Sequence, residues 1–290
     1  MSQKKTLQEL TIKDNFMFGA VMCDEENCKQ LLEMILEIPI ERIEVSKEKS
    51  IVYHPQYKGV RLDIYAKDEM STRYNVEMQA LKKEALPKRG RYYHSQIDME
   101  LLRTGLDYSY LPNSYVIFIC DFDPFGEGKY QYTIQNRCEE LNHSAVDDGN
   151  VTIFMSTKGT NKEDVSEELV SFLNYVGANL EESIADFEDE YILKLQRAVS
   201  SVKSSREMES RYMIFKEMLQ DEWNEGRAEG RAEGRAEGRA EGRAESIIML
   251  LSELGDVPKI LEEEILAQKD LSIMAKWIKL AAKSKTIEIE

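Results

Sequence analysis

The chain is poor in the residues that build zinc sites, disulfide scaffolds and histidine-centred catalysis. It has four cysteines in 290 residues. Cys23, Cys28, Cys120 and Cys138 show neither zinc-ligand spacing nor the density of a disulfide framework. They read as reduced, structural residues of a cytoplasmic protein. His54, His94 and His143 are scattered without ligand spacing, and His94 reads as a surface histidine beside a basic patch, within reach of DNA. Long apolar runs are missing as well. Segments such as 115–120 and 247–251 are far too short to span a bilayer, which takes about 20 apolar residues. The two N-terminal lysines are followed by no apolar segment, so no secretory signal is expected. Gly126-Glu127-Gly128 lacks the remaining glycine and the lysine of a phosphate loop, which leaves a nucleotide cofactor unsupported.

Positive charge is also in deficit. A net charge of −16 argues against a protein that coats nucleic acid nonspecifically, because phosphate binding needs exposed Lys and Arg. The distribution is uneven, however. Between residues 82 and 91, Lys82, Lys83, Lys88, Arg89 and Arg91 stand against a single acid, Glu84. This run suits a DNA-gripping edge; the alternative is a solvated helix start.

What is present in strength is a two-faced hairpin. Arg61-Leu62-Asp63-Ile64-Tyr65 alternates polar and apolar residues, and so does Asn75-Val76-Glu77-Met78-Gln79. Strict alternation marks strands with two different faces. The polar segment 67–73 between them suits a turn. A hairpin symmetric about Met70 sets Asp63 directly across from Glu77, about 4.5–5.5 Å apart at Cβ, with Gln79 following on the same face. Two carboxylates and an amide would converge there, a donor set suited to a divalent cation bound through oxygen.

These residues resemble the PD-(D/E)xK nuclease superfamily, in particular its Rpn-type recombination-promoting nucleases, also described as PD-(D/E)xK transposases. Asp63 and Glu77 fill the acidic positions of the pattern, and Gln79 stands where a lysine usually stands. Lys13-Asp14-Asn15-Phe16-Met17-Phe18, Arg91-Tyr92-Tyr93 with Asp98 and Leu101-Leu102, and the stretch 116–126 are similar to the family too, over roughly residues 6–160. The resemblance implies an α/β restriction-endonuclease-like PD-(D/E)xK core, a mixed sheet flanked by helices, with an all-α C-terminal extension. It implies a DNA endonuclease using Mg²⁺ or Mn²⁺, with Asp63 and Glu77 as ligands and Gln79 orienting the attacking water. It further implies an acid at Asp14 completing the metal shell, although Asp14 reads equally as a helix N-cap. Gln96 stands where a supporting glutamine is found, or is an ordinary helix-surface amide. A strand-transfer enzyme using the same site and a catalytically silent nuclease fold are the other classes left open. Replacing Asp63 or Glu77 by Ala is expected to abolish cleavage with little loss of fold. Gln79→Lys is expected to keep or raise activity.

Residues 7–22 and 25–38 read as helices, the second with Leu31, Leu32, Ile35 and Leu36 at helical spacing and ended by Pro39. Residues 43–53, 60–66, 74–80 and 114–120 read as the sheet, with 130–134 and 151–155 as added edge strands. A helix over 88–106, closed with the help of Gly105, lies between the third and fourth strands. After residue 163 the pattern is helical. The expected division is a nuclease-like domain over 1–160, a helical region over 163–224, a repeat spacer over 225–245 and a small helical module over 246–290.

The spacer contains five copies of Glu-Gly-Arg-Ala, residues 225–244. Its glycines cost a lone helix about 1 kcal/mol each relative to alanine, and its like charges recur at i, i+4. Small residues at every fourth position nevertheless admit a second helix, so a helical, dimer-forming spacer is expected rather than a disordered linker. In the module, Gly255 stops one helix, Asp256 is placed as N-cap of the next with Pro258 in its first turn, and Asp270 starts the last. Self-association into a homodimer is a use that suits this region.

Overall fold

The computed structural model describes residues 5–51, 60–141 and 144–284. Val52, Tyr53, His54 and His143, which figure in the sequence reading, lie outside the described residues. The chain divides into two compact units, Met1–Tyr212 and Met213–Glu290.

The first unit opens with a correction. In place of one helix over 7–22 there is a 3₁₀ turn, Leu7–Glu9, followed by α1, Asn15–Met22. Leu10 and Ile12 between them are both buried; a spacing of two puts residues on opposite sides of a helix but suits irregular chain. α2, Glu25–Leu36, is capped by the Asp24 carboxylate, which accepts from Asn27 N at 2.9 Å. It ends with Glu37 in the left-handed region, φ 55°, just before Ile38, which Pro39 biases away from helical backbone.

A six-stranded mixed sheet follows, built from β1 (Ile43–Ile51), β2 (Val60–Asp68), β3 (Arg73–Gln79), β4 (Ser114–Cys120), β5 (Gln131–Ile134) and β8 (Asn150–Ser156) in the order β1-β2-β3-β4-β8-β5. β6 (Arg137–Cys138) and β7 (Ser144–Ala145) form a separate two-stranded ribbon. β2 is antiparallel to both β1 and β3, β3, β4 and β8 run parallel to one another, and β5 is antiparallel to β8. The expected edge strand over 151–155 is therefore an interior strand. Ile153, Phe154 and Met155 are all buried, as befits a parallel strand covered on both faces.

The β2–β3 turn is tied by Asp68, whose carboxylate accepts from Thr72 N at 2.8 Å and from Tyr74 Oη at 2.7 Å. α3, Leu86–Leu101, lies across one face of the sheet. It begins two residues earlier than expected, with Pro87 in the first turn, where a missing N–H is harmless. It also ends earlier, so that Gly105, φ 90°, falls in the following loop. Leu86, Tyr93 and Ile97 of α3 pack with Val116, Phe118, Cys120 and Phe154. Gly90 permits the close approach, since a Cβ there would stand 3.0 Å from Thr152 Cγ2 and 3.4 Å from Phe118 Cε2. Strand residues of the other parity, among them Val76, Met78, Ile117 and Ile119, are equally buried. α1 contacts β1, β2 and β3, and α2 joins it on β1. α4 (Glu167–Gly177) packs on α2, and α5 (Glu190–Ser204) on α1 and α4. Tyr191 Oη of α5 donates to Asn27 O at 2.8 Å, and Gln8 Nε2 donates to Lys203 O at 2.7 Å.

α6, Arg206–Ser252, carries the whole repeat as helix. Each repeat glycine has open space where a Cβ would lie. Within the second unit, Ala240 and Ala244 of the last two copies are buried with Ile247 against Ile265 of α7 (Lys259–Ala267) and Met274 of α8 (Leu271–Ala281). These two alanines thus receive helices of this unit. Asp256 does not cap α7, whose N-cap is Pro258. Asp270 does cap α8, accepting from Ser272 N at 2.7 Å and Ile273 N at 3.3 Å. No helix among the described residues is long and apolar enough to cross a membrane.

Candidate active site

The β2–β3 ladder pairs Ile64 with Val76 and Lys67 with Arg73, the register of a hairpin symmetric about Met70. The ladder ends at Ile64 and Val76, and one step on the Asp63 and Glu77 carboxylates bond the backbone of the opposite strand. Asp63 N donates to Glu77 Oε1 at 3.2 Å, and Met78 N donates to Asp63 Oδ2 at 3.2 Å. Glu77 pairs with Phe118 and Gln79 with Cys120 across the parallel β3–β4 ladder, so both side chains lie on the face that α3 covers.

The burial is unequal. Asp63 is half-buried, whereas Glu77 has no solvent exposure and Gln79 has 5%. A buried carboxylate needs a partner, and α3 supplies it. Arg89 Nη2 donates to Glu77 Oε2 at 2.7 Å and Arg89 Nη1 to Gln79 Oε1 at 3.3 Å. Arg89 Nε donates to Tyr93 Oη, which in turn stands 3.5 Å from Glu77 Oε2. The guanidinium carbon sits 5.0 Å from the Tyr93 ring centre and 5.9 Å from that of Phe118, within cation–π range. Burial, and next the Asp63 carboxylate, push the Glu77 pKa upward, against the pull of Arg89. Burial likewise raises the Tyr93 phenol, with Glu77 adding to it. Arg89 is thus the cation placed directly on the Glu77 carboxylate. Asn75, fully buried on the same face, has neither Oδ1 nor Nδ2 hydrogen-bonded among the described residues. Hard oxygen donors of this kind fit a divalent cation, and Mg²⁺ is commonly held by only one or two protein carboxylates.

The other expected residues are placed differently. Asp14 is at the N-cap position of α1, but its carboxylate makes no cap there. It accepts instead from Thr11 N at 2.8 Å and pairs with Lys5 Nζ at 2.8 Å. No group of three or more His, Cys, Asp or Glu side chains among the described residues is gathered to hold a metal, so Asp14 is not brought to Asp63 and Glu77. Gln96 is buried rather than on the helix surface, and its amide nitrogen lies 4.0 Å from Met99 Sδ. Lys82, Lys83, Lys88 and Arg91 are exposed and stay available for a backbone contact. Arg89 leaves their company for the site.

His94 is likewise not a surface histidine. It is buried, with Nδ1 2.6 Å from Ser114 Oγ and Nε2 3.0 Å from Thr152 Oγ1. Burial brings its pKa down to about 4. This neutral imidazole ties α3 to β4 and β8. Arg89 and Tyr93 are the site residues that the sequence reading missed. Their signal is present: Leu86, Arg89, Gly90, Tyr93 and Ile97 recur at helical spacing on one stripe, and an arginine inside an apolar stripe needs a buried acid to meet.

Compared with known protein families, the chain matches the model described as PD-(D/E)XK nuclease family transposase over residues 12–228, well over half its length. None of the curated proteins and none of the solved structures matches it.

Proposed function

The chain belongs to the PD-(D/E)XK nuclease family transposases, and from that premise we propose that it is a metal-dependent DNA endonuclease of the recombination-promoting group. Asp63 and Glu77 are its metal ligands in this reading. The observation that carries it is their meeting at the end of the β2–β3 ladder, each carboxylate held by a backbone N–H of the opposite strand. Mg²⁺ or Mn²⁺ held there would lower the pKa of a water and polarise the scissile phosphate.

The chain's own residues supply the rest. Gln79 accepts from Arg89 through Oε1, which leaves its NH₂ to donate to a phosphate oxygen or to orient a water. It carries no charge and takes no proton, so it positions rather than acts as base. Tyr93 and Phe118 wall the apolar side and keep Arg89 in place. Lys82, Lys83, Lys88 and Arg91 follow directly from β3 and grip the DNA backbone beside the cut.

Incubating the full chain with supercoiled plasmid and Mg²⁺ or Mn²⁺ tests the assignment. Nicking that disappears in Asp63→Ala is expected. End-joined products would instead favour strand transfer with a DNA 3′-hydroxyl as nucleophile, and binding without cutting would favour a silent nuclease fold.

A further inference from the structure

We propose that Arg89 holds the place of the metal ion on Glu77 and is handed to the scissile phosphate when a divalent cation takes that carboxylate. The inference rests on the metal-site reading above and adds an exchange of cations to it. Both Glu77 oxygens are engaged, Oε2 by Arg89 Nη2 at 2.7 Å and Oε1 by Asp63 N at 3.2 Å. Asp63 N is fixed in β2, so Arg89 is the donor that can yield. Its side chain is 30% exposed while that of Glu77 is fully buried, so the guanidinium has an open side toward which to move.

Other groups of α3 and the sheet also hold it. The Tyr93 and Phe118 rings, the Tyr93 hydroxyl and Gln79 Oε1 keep hold of it. A guanidinium released from Glu77 therefore shifts within the site and stays there. It is always charged and forked, which suits two phosphate oxygens at once. Gln79 is neutral, and among the described residues Arg89 is the one cation hydrogen-bonded to either Glu77 or Gln79. Two cations on one carboxylate repel, so Arg89 weakens metal binding until a phosphate arrives to receive it. Metal and DNA then strengthen each other's binding, as linkage requires.

The test titrates Mn²⁺ alone into the full chain by calorimetry at one fixed pH, beside single-turnover plasmid cleavage at saturating Mn²⁺. Arg89→Gln is expected to bind Mn²⁺ at least about tenfold more tightly, since the competing charge is gone. It should also cleave about a hundredfold more slowly or worse, since a preorganised cation is lost. Arg89→Lys, which keeps the charge and guards against a folding defect, should fall between wild type and Arg89→Gln on both measurements. A merely structural Arg89 would lower the rate without tightening the metal, and Mn²⁺ affinity equal to or weaker than wild type in both variants overturns the exchange. Asp63→Ala separates the two levels of the argument. Undiminished Mn²⁺ binding there removes the metal site itself and the exchange with it, whereas lost binding there with no tightening at Arg89 removes the exchange alone.

Discussion

Glu77→Ala should destabilise the first unit, contrary to what a polar hairpin face suggests. Glu77 is fully buried and bonded to Arg89, whose side chain keeps 30% exposure. Removing one member of a buried pair typically costs about 3–5 kcal/mol, and the partial exposure of Arg89 places this case near the lower end. For a unit of this size, roughly 3 kcal/mol lowers the melting temperature by about 6–12 °C. Glu77→Gln keeps the shape and one acceptor but meets either Arg89 Nη2 or Asp63 N with an amide donor. The loss of a costly buried charge offsets that mismatch, so its net cost should be about 1 kcal/mol or less. The double variant Glu77→Met/Arg89→Met should recover most of the wild-type stability, because an apolar pair of similar volume commonly replaces a buried ion pair without loss. Thermal and urea unfolding in EDTA, followed in the same four proteins, reads all three values. A Glu77→Ala protein within about 0.5 kcal/mol of wild type, the range of ordinary surface changes, would refute the buried-pair argument.

Gln79→Lys no longer promises higher activity, because its ammonium would meet Arg89 Nη1, now 3.3 Å from Gln79 Oε1. The single variant should lose stability and cleavage, and Gln79→Lys/Arg89→Gln should regain both; activity in the single variant equal to wild type would contradict this. Replacing Lys88 and Arg91 with Ala should reduce the slope of log K against log salt for DNA binding by up to about 0.9 per lost phosphate contact. An unchanged slope would make the run a solvated helix start. His94 titrates at about 4 in the fold against 6.5 ordinarily. The unfolded chain therefore binds the extra proton first, and stability is full above pH 6.5 and falls as the pH drops toward 4. Between pH 7.5 and 5 this amounts to roughly 2 kcal/mol, and unfolding curves for His94→Asn should lack that part of the acid loss. An acid loss unchanged in the variant would assign it to other groups.

The β2–β3 register, from Lys67 and Arg73 to Ile64 and Val76, was legible because a period of two and one turn centre fix it. The sheet strands and the helical character after residue 163 were legible for the same local reasons. Arg89 was not, because a run of basic residues looks uniform until a helix winds it, turning Arg89 inward while Lys88 and Arg91 point out. His94 was misread similarly, since its hydroxyl partners Ser114 and Thr152 lie on distant strands. The break between Leu7 and Asn15 escaped notice because buried leucines and isoleucines there fill a gap rather than a helical stripe. Asp14 was drawn toward the metal by resemblance, while its carboxylate is occupied by Lys5 and Thr11 N.

Whether Asp63 and Glu77 together hold the ion that cuts DNA can be read from anomalous diffraction of crystals soaked in Mn²⁺. A single strong peak within coordination distance of both carboxylates is expected, with Arg89 moved off Glu77 Oε2, and no peak there in Asp63→Ala. A peak elsewhere, or an unchanged Arg89–Glu77 contact at Mn²⁺ concentrations that support cleavage, would contradict it.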